Sequence, residues 1–183
     1  MNSCTFQIEY PSEECMLEQS EEWFNLVTEE GRQRIRIHEY SRVYDVPGLY
    51  EEVVYNKLQC DSPKVITGLL KETMETHGES SIPLRALDFG AGNGIVGECL
   101  QEAVNVEAIV GVDIIDEAKN AMKRDRPEIY DDYYVMDFSQ VDGKQRQALD
   151  HWNFNALITV AALGFGDIPT QAFVNAFNLR LTC

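Results

Sequence analysis

The sequence predicts an α/β protein built on a mainly parallel sheet, and three observations carry this prediction. From Arg85 onward, short apolar runs alternate with segments of helical periodicity. The first run leads into a glycine-rich turn that opens a helix. Three runs have an acidic residue at or next to their end, namely Asp88, Asp113 and Asp137. Strands joined by helical crossovers in this way run parallel, so their carboxyl ends share one edge of the sheet.

Composition limits the class of protein. A chain of 183 residues that is 44% hydrophobic can bury one core. Its net charge of −16 disfavours nucleic acid and anionic membrane surfaces as partners. Its 5 cysteines show no CxxC spacing, which favours reduced thiols over disulfides or a metal site. With neither a leader pattern nor a membrane-length apolar run, we expect a cytoplasmic protein.

Residues 1–42 are predicted to form an acidic extension with a β-hairpin. The first 30 residues contain eight glutamates and no Lys or Arg, which is typical of a solvated tail. Trp23–Val27 and Arg34–His38 flank the turn-forming Glu29-Glu30-Gly31 and are predicted to pair as strands.

Residues 43–80 are predicted to form a helical lid or entrance segment with two helices. The first follows Pro47, and the second extends from Ser62-Pro63 to Gly78. Helical spacing predicts a buried stripe on the second helix, formed by Val65, Ile66, Leu69, Leu70 and Met74.

Residues 81–183 are predicted to form the α/β core. Its four strands are expected at Arg85–Phe89, Val106–Asp113, Tyr133–Met136 and Ala156–Val160. The helices are expected after the glycine turn, from Asp116, over Gln145–Trp152, and after Pro169.

The turn from Gly90 to Gly94 suits a nucleotide-like ligand. Glycines bring bare backbone N–H groups close to a ligand, and the following helix N-terminus adds donors and partial positive charge. Asp113 comes 19 residues after Gly94, the spacing at which the acid of the second strand can bind ribose hydroxyls. Since Gly92, Gly94 and Gly97 also satisfy the dinucleotide fingerprint, two ligand classes remain open at this point.

The segment Asp88-Phe89-Gly90-Ala91-Gly92-Asn93-Gly94 resembles the first motif of class I S-adenosylmethionine-dependent methyltransferases. Gly111 to Ile114 is similar to the family's second strand, Asp137-Phe138 to its adenine-contacting pair, and Val43 to Glu51 to its entrance segment. The resemblance implies a Rossmann-like fold and S-adenosyl-L-methionine as cofactor. The cofactor-binding residues that it implies are Tyr44, Asp88, Gly90, Ala91, Gly92, Asn93, Gly94, Asp113, Ile114, Asp137, Phe138 and Ala161.

Charge favours S-adenosylmethionine over a dinucleotide as the ligand of the glycine turn. Asp88 can attract the ammonium group of the cofactor, whereas a pyrophosphate at the same turn would meet a like charge. We therefore predict a methyltransferase, with an NAD(P)-binding Rossmann oxidoreductase as the alternative.

The acceptor side of the site is less defined. Asp167 and His38 are the two candidates for catalytic contact with an acceptor, although Asp167 could instead cap the helix after Pro169. Methyltransferases that act on exocyclic or amide nitrogen carry an Asn/Asp-Pro-Pro-aromatic loop, which is replaced here by Val160 to Phe165. Together with the acidic charge, this replacement favours a small-molecule acceptor.

The resemblance also implies a sheet order of 3-2-1-4. The family's sheet has seven strands, whereas this chain ends at Cys183, soon after the helix that follows the fourth strand. We expect the fourth strand to form an open edge, either in a truncated form or beside a partner chain or second copy. A third function therefore stays open, namely an inactive methyltransferase-like fragment that binds a partner through this edge.

Overall fold

A computed structural model of the protein describes residues 6–11, 21–164 and 167–179. The chain forms two compact units, Met1–Cys60 and Asp61–Cys183. The predicted division of the chain into three parts, residues 1–42, 43–80 and 81–183, stays a prediction. No helix among the described residues has the length and apolar character needed to cross a membrane.

The first unit contains a three-stranded antiparallel sheet in the order β1-β2-β3, with β1 at Gln7–Glu9, β2 at Trp23–Thr28 and β3 at Gly31–Arg36. The predicted hairpin is confirmed, with Thr28 paired to Gly31 at its turn. The assignment of Gln7–Glu9 to a solvated tail is wrong, because these residues pair with β2 and Ile8 packs against the core of this unit. Residues 1–5 and 12–20 of the predicted tail lie outside the described residues.

Short helical segments complete the first unit. Helix α1 (Tyr40–Asp45) was not predicted, whereas the helix expected after Pro47 is present as α2 (Leu49–Glu51). It continues as a π-helical segment over Glu52–Lys57. Phe24, Ile35, Val43, Leu49 and Val53 form the core of the unit.

The second unit has a four-stranded parallel sheet in the order β6-β5-β4-β7, which confirms the predicted order 3-2-1-4. Its strands are β4 (Leu84–Phe89), β5 (Val106–Asp113), β6 (Asp132–Val135) and β7 (Ala156–Ile158). Its helices are α3 (Ser62–His77), α4 (Ile95–Ala103), α5 (Asp116–Asp125), α6 (Gly143–Asp150) and α7 (Thr170–Phe177). Among the described strands β7 pairs only with β4, and association with another chain at this edge stays a prediction.

The predicted apolar stripe of α3 is only partly buried. Met74 is buried and Leu70 packs against the cluster that contains residues of α4, but Val65, Ile66 and Leu69 are 54%, 42% and 53% exposed. The prediction was wrong for these three residues, because helical spacing identifies an apolar face without showing how much of it a neighbour covers.

Alternation along β4 divides the core into two apolar clusters, one on each face of the sheet. Leu87 and Phe89 belong to the cluster that includes Phe138 and residues of α7, whereas Ala86 belongs to the cluster that includes Val96 and Leu100 of α4. Asp88 follows Leu87 and therefore points to the α4 face. The side chain of Asp88 therefore lies on the opposite face of the sheet from those of Leu87 and Phe89.

Candidate functional site

The glycine turn joins β4 to α4 and adopts a backbone that favours glycine. Gly90, Gly92 and Gly94 have φ angles of +81°, +54° and +90°. A Cβ atom on Gly90 would also lie 2.7 Å from the Cβ atom of Ala162, in the loop after β7. Glycine is therefore required at residue 90 both by conformation and by space.

Most of the turn's N–H groups are used within the protein. Gly90 N and Ala91 N donate to the Val112 carbonyl at 2.9 and 3.0 Å, Gly92 N donates to Asp113 Oδ2 at 2.9 Å, and Gly94 N donates to the Ala91 carbonyl at 3.0 Å. The expectation that the turn presents bare N–H groups to a ligand is thus wrong for these four residues. A turn of this kind is a poor phosphate cradle, because a phosphate would need those same donors.

The carboxylate of Asp113 is fixed at the end of β5 by three backbone donors. Besides the bond from Gly92, its Oδ1 accepts hydrogen bonds from Ile114 N at 2.7 Å and Ile115 N at 3.1 Å. Burial raises the pKa of Asp113, while these hydrogen bonds act in the opposite direction. A carboxylate has about four acceptor positions, so one further donor can still be bound.

A cleft with about 380 Å³ of empty space, part of it open solvent, lies at the carboxyl ends of β4, β5 and β6. It brings together six residues selected from the sequence: Gly90, Asp113, Ile114, Asp137, Phe138 and Asp167. Other lining residues were not predicted, namely Phe89, Val112, Met136, Ile168, Pro169 and Ala172. The walls are therefore mainly apolar, and carboxylates supply the charge.

The charge of the cleft has one sign. Asp113, Asp137 and Asp167 line it, and none of its described lining residues is Lys, Arg or His. Such a cleft favours cationic or neutral hydrogen-bond donors and disfavours phosphate.

Asp137 is held by its own following turn. Its Oδ1 accepts hydrogen bonds from Ser139 Oγ at 2.7 Å and Ser139 N at 2.8 Å, and its Oδ2 accepts one from Gln140 Nε2 at 3.2 Å. These hydrogen bonds, led by that of the Ser139 hydroxyl, lower the pKa of Asp137. The carboxylate is thus kept ionised and oriented beside the cleft.

Asp167 lines the cleft instead of capping α7. The residue at the start of α7 is Pro169, and no side chain makes a capping hydrogen bond there. The alternative interpretation of Asp167 as a cap is therefore wrong. Its backbone N–H donates to the carbonyl of Gly164 at 3.0 Å, within the loop after β7.

Asp88 lies behind the turn and is absent from the residues that line the cleft. Its side chain is fully buried, Oδ2 accepts a hydrogen bond from the Tyr130 hydroxyl at 2.7 Å, and Oδ1 has no hydrogen-bond partner among the residues that the structure describes. Burial raises the pKa of Asp88 to about 7, against the opposing effect of the Tyr130 hydrogen bond, and the nearby Asp113 raises it further. Contact between Asp88 and a cofactor stays a prediction.

Two tyrosines that sequence analysis missed support the turn from the same side. Tyr130 bonds to Asp88, and the hydroxyl of Tyr133 donates to the carbonyl of Gly92 at 2.8 Å. Their rings meet edge to face, with centroids 5.5 Å apart. The available sequence signal was Gly111, since a glycine in a buried strand can indicate close approach of another group.

The other predicted residues fall into two groups. Ala91 and Asn93 are buried within the turn, and Ala161 follows β7 with a left-handed φ of +56°. Tyr44 and His38 belong to the first unit, where Tyr44 is buried against Tyr50 with ring centroids 4.7 Å apart. Roles for Tyr44 and His38 in a cofactor or acceptor site stay predictions. Among the described residues, no cluster of His, Cys, Asp or Glu could hold a metal ion.

No protein-family model matches the sequence, and no curated protein is similar to it. Solved structures that resemble the chain include magnesium protoporphyrin IX methyltransferase from Synechocystis PCC 6803 with bound S-adenosylmethionine. It is 16% identical, with a TM-score of 0.44 over 63% of this chain and 53% of that protein. A plantazolicin methyltransferase in complex with S-adenosylhomocysteine is 13% identical, with a TM-score of 0.49 over 78% of this chain and 53% of that protein.

A Pyrococcus horikoshii protein described as an RNA methyltransferase is 15% identical, with a TM-score of 0.45 over 62% of this chain and 55% of that protein. The chain therefore spans about half the length of each of these three proteins. Each of the three is described as a methyltransferase.

Proposed function

We propose that the cleft binds S-adenosylmethionine and that the protein transfers the cofactor's methyl group to a small-molecule acceptor. The observation that carries this proposal is the position of Asp113. Its carboxylate is fixed by three backbone N–H groups at the edge of a cleft whose described lining contains no basic side chain. A carboxylate fixed in this way has one acceptor position left, which suits a hydroxyl donor of a ribose.

Neighbouring residues suit the adenine of the same ligand. Ile114 is 63% exposed, and an apolar side chain left so open gains stability when a flat ring covers it. Phe138 lines the same cleft, and the oriented carboxylate of Asp137 can accept a hydrogen bond from an exocyclic amine. A ribose hydroxyl and the exocyclic amine of adenosine would therefore each meet a carboxylate.

Two features count against the dinucleotide alternative. The N–H groups of Gly90, Ala91, Gly92 and Gly94 are engaged within the protein, so a pyrophosphate would lack its usual donors. The three carboxylates of the cleft would also repel it. S-adenosylmethionine has no pyrophosphate, and its sulfonium and ammonium groups outweigh its single carboxylate, so its net positive charge suits the cleft.

The cofactor supplies an activated methyl group, so the chain's main task is to bind and align the reactants. In the transfer, the acceptor atom forms a bond to the methyl carbon, the bond from this carbon to sulfur breaks, and any proton of the acceptor passes to a base or to water. We assign Asp167 as the group that contacts the acceptor, because it lies on the loop after β7 and faces the cleft. The net charge of −16 supports a small acceptor over a polyanion.

Titration calorimetry with S-adenosylhomocysteine and, separately, with NAD tests the proposal. We expect the first ligand to bind and the second not to bind, and binding is expected to be lost in Asp113→Ala. The matched control is Asp61→Ala, because Asp61 is exposed and its side chain makes no capping bond to α3. Binding of NAD alone, or equal loss in both variants, would contradict the proposal.

A further inference from the structure

Gly92 is held by side chains from two neighbouring strands. Its N–H donates to Asp113 of β5 at 2.9 Å, and its carbonyl accepts a hydrogen bond from the hydroxyl of Tyr133 of β6 at 2.8 Å. Both polar backbone atoms of the central glycine are therefore fixed from outside the turn. The motif that predicts the cofactor site includes Asp113 but assigns nothing to Tyr133.

Gly111 provides the space through which Tyr133 reaches the turn. These two residues are register partners on β5 and β6. A Cβ atom on Gly111 would lie 2.6 Å from Cδ2 of the Tyr133 ring and 3.2 Å from the Cβ atom of Ala91. The ring thus occupies the volume that any other residue at 111 would fill, and this directs its hydroxyl toward Gly92.

The hydroxyl of Tyr133 acts as a fixed donor. Tyr133 is 3% exposed, and Tyr130 packs edge-on against its ring. Burial, together with the nearby carboxylates of Asp113 and Asp88, raises the pKa of Tyr133, so the hydroxyl keeps its proton. A buried hydroxyl with a single backbone acceptor sets the direction of that carbonyl.

We propose that Tyr133 is a positioning residue of the cofactor site: by holding the Gly92 carbonyl, it orients the glycine whose N–H holds Asp113 toward the cleft. This inference rests on the proposed function, because it assigns Tyr133 a role in presenting Asp113 to the ligand. Tyr133 itself does not line the cleft and acts only through Gly92.

Replacement of the hydroxyl alone separates this role from simple packing. Tyr133→Phe keeps the ring against Gly111 and removes only the donor to Gly92. The matched control is Tyr134→Phe on the same strand, because the Tyr134 hydroxyl makes a 3.5 Å contact with Trp152 and does not line the cleft. The readouts are calorimetric affinity for S-adenosylhomocysteine and the backbone amide resonance of Gly92 in the ligand-free protein, with thermal unfolding of each variant as a check on folding.

We expect Tyr133→Phe to weaken binding about fivefold to tenfold, the effect of one lost hydrogen bond. The Gly92 amide resonance is expected to shift in Tyr133→Phe, and neither quantity is expected to change in Tyr134→Phe. Wild-type affinity in Tyr133→Phe, an unshifted Gly92 resonance, or the same loss of affinity in both variants would overturn the role of Tyr133. Absence of binding by the wild-type protein would instead refute the proposed function, so the two failures are distinguishable.

Discussion

The carboxylate of Asp113 accepts a hydrogen bond from the backbone N–H of Gly92 at 2.9 Å. This bond ties the end of β5 to the turn that follows β4, the neighbouring strand in the sheet. The acid expected to bind ribose therefore also shapes the glycine turn. A change at residue 113 should alter the turn even when no ligand is present.

Asp113→Asn is expected to destabilise the ligand-free protein by about 1–3 kcal/mol, because a neutral amide with one acceptor oxygen cannot replace a charged acceptor of three N–H groups. Urea unfolding without ligand measures this change. Asp61→Asn is the control, since Asp61 is exposed, and it should leave the unfolding free energy unchanged within about 0.5 kcal/mol. Equal stability of Asp113→Asn and the wild type would contradict the assigned hydrogen bonds.

Two glycine-to-alanine substitutions should have opposite effects. Gly90→Ala requires a positive φ and places a methyl group 2.7 Å from Ala162, so a loss of about 2 kcal/mol or more is expected. Gly68→Ala, within α3, meets no atom within 4 Å and should stabilise the protein by about 0.5–1 kcal/mol. Unfolding free energies of the pair give the comparison, and effects of the same sign would argue against the backbone described for the turn.

The buried carboxyl of Asp88 should make stability fall as pH rises. Because burial raises its pKa to about 7 from 3.8, the native state keeps a proton that the unfolded state releases between these values. Asp88→Asn removes this ionisation. Its stability relative to the wild type should increase from pH 4 to pH 7, by an amount on the order of 4 kcal/mol, and then level off.

Unfolding free energies of the wild type and of Asp88→Asn across this pH range give the difference in stability. The other ionisable groups titrate in both proteins, so their contributions cancel in this difference. Tyr130→Phe provides a second test of the same group. The Tyr130 hydroxyl stabilises the ionised carboxylate, so its removal should raise the pKa of Asp88 further and move the levelling point above pH 7. A difference that does not vary with pH would rule out the assigned burial of an ionisable carboxyl.

The pKa of Asp137 should depend on the hydroxyl of Ser139. In Ser139→Ala the largest of the interactions that lower this pKa is removed, so the pKa should rise toward its usual value. Gln140→Ala removes a weaker interaction and should have a smaller effect. Carbon NMR titration of the Asp137 carboxyl measures both. A larger shift in Gln140→Ala than in Ser139→Ala would contradict the described turn.

The sheet was predictable because each of its strands is a short apolar run next to a clear helix or turn signal. The runs ending near Asp113 and Asp137 lie where β5 and β6 lie, and the order of the four strands is as expected. Strand β1 was missed because three residues with one apolar side chain, Ile8, carry too little periodicity to stand out from an acidic segment. Pairing with β2 is a tertiary effect that local pattern does not contain.

For the candidate site, the sequence identified the residues at the ends of the strands, but not the side chains from other strands that hydrogen-bond to the turn. Gly90, Asp113 and Asp137 meet in one cleft as expected. Tyr133 was missed because its hydroxyl reaches Gly92 from another strand, 41 positions away in sequence. The exposure of Val65 was missed for a related reason, since coverage of a helix face depends on which elements pack beside it.

The most direct test of the proposed cofactor site is amide chemical-shift mapping with saturating S-adenosylhomocysteine. The largest changes are expected at Gly90, Ile114 and Phe138, which line the cleft, and at Gly92, whose N–H donates to Asp113. Binding in which these four amides stay unperturbed while others shift would place the ligand elsewhere and contradict a cofactor site at the carboxyl ends of β4, β5 and β6.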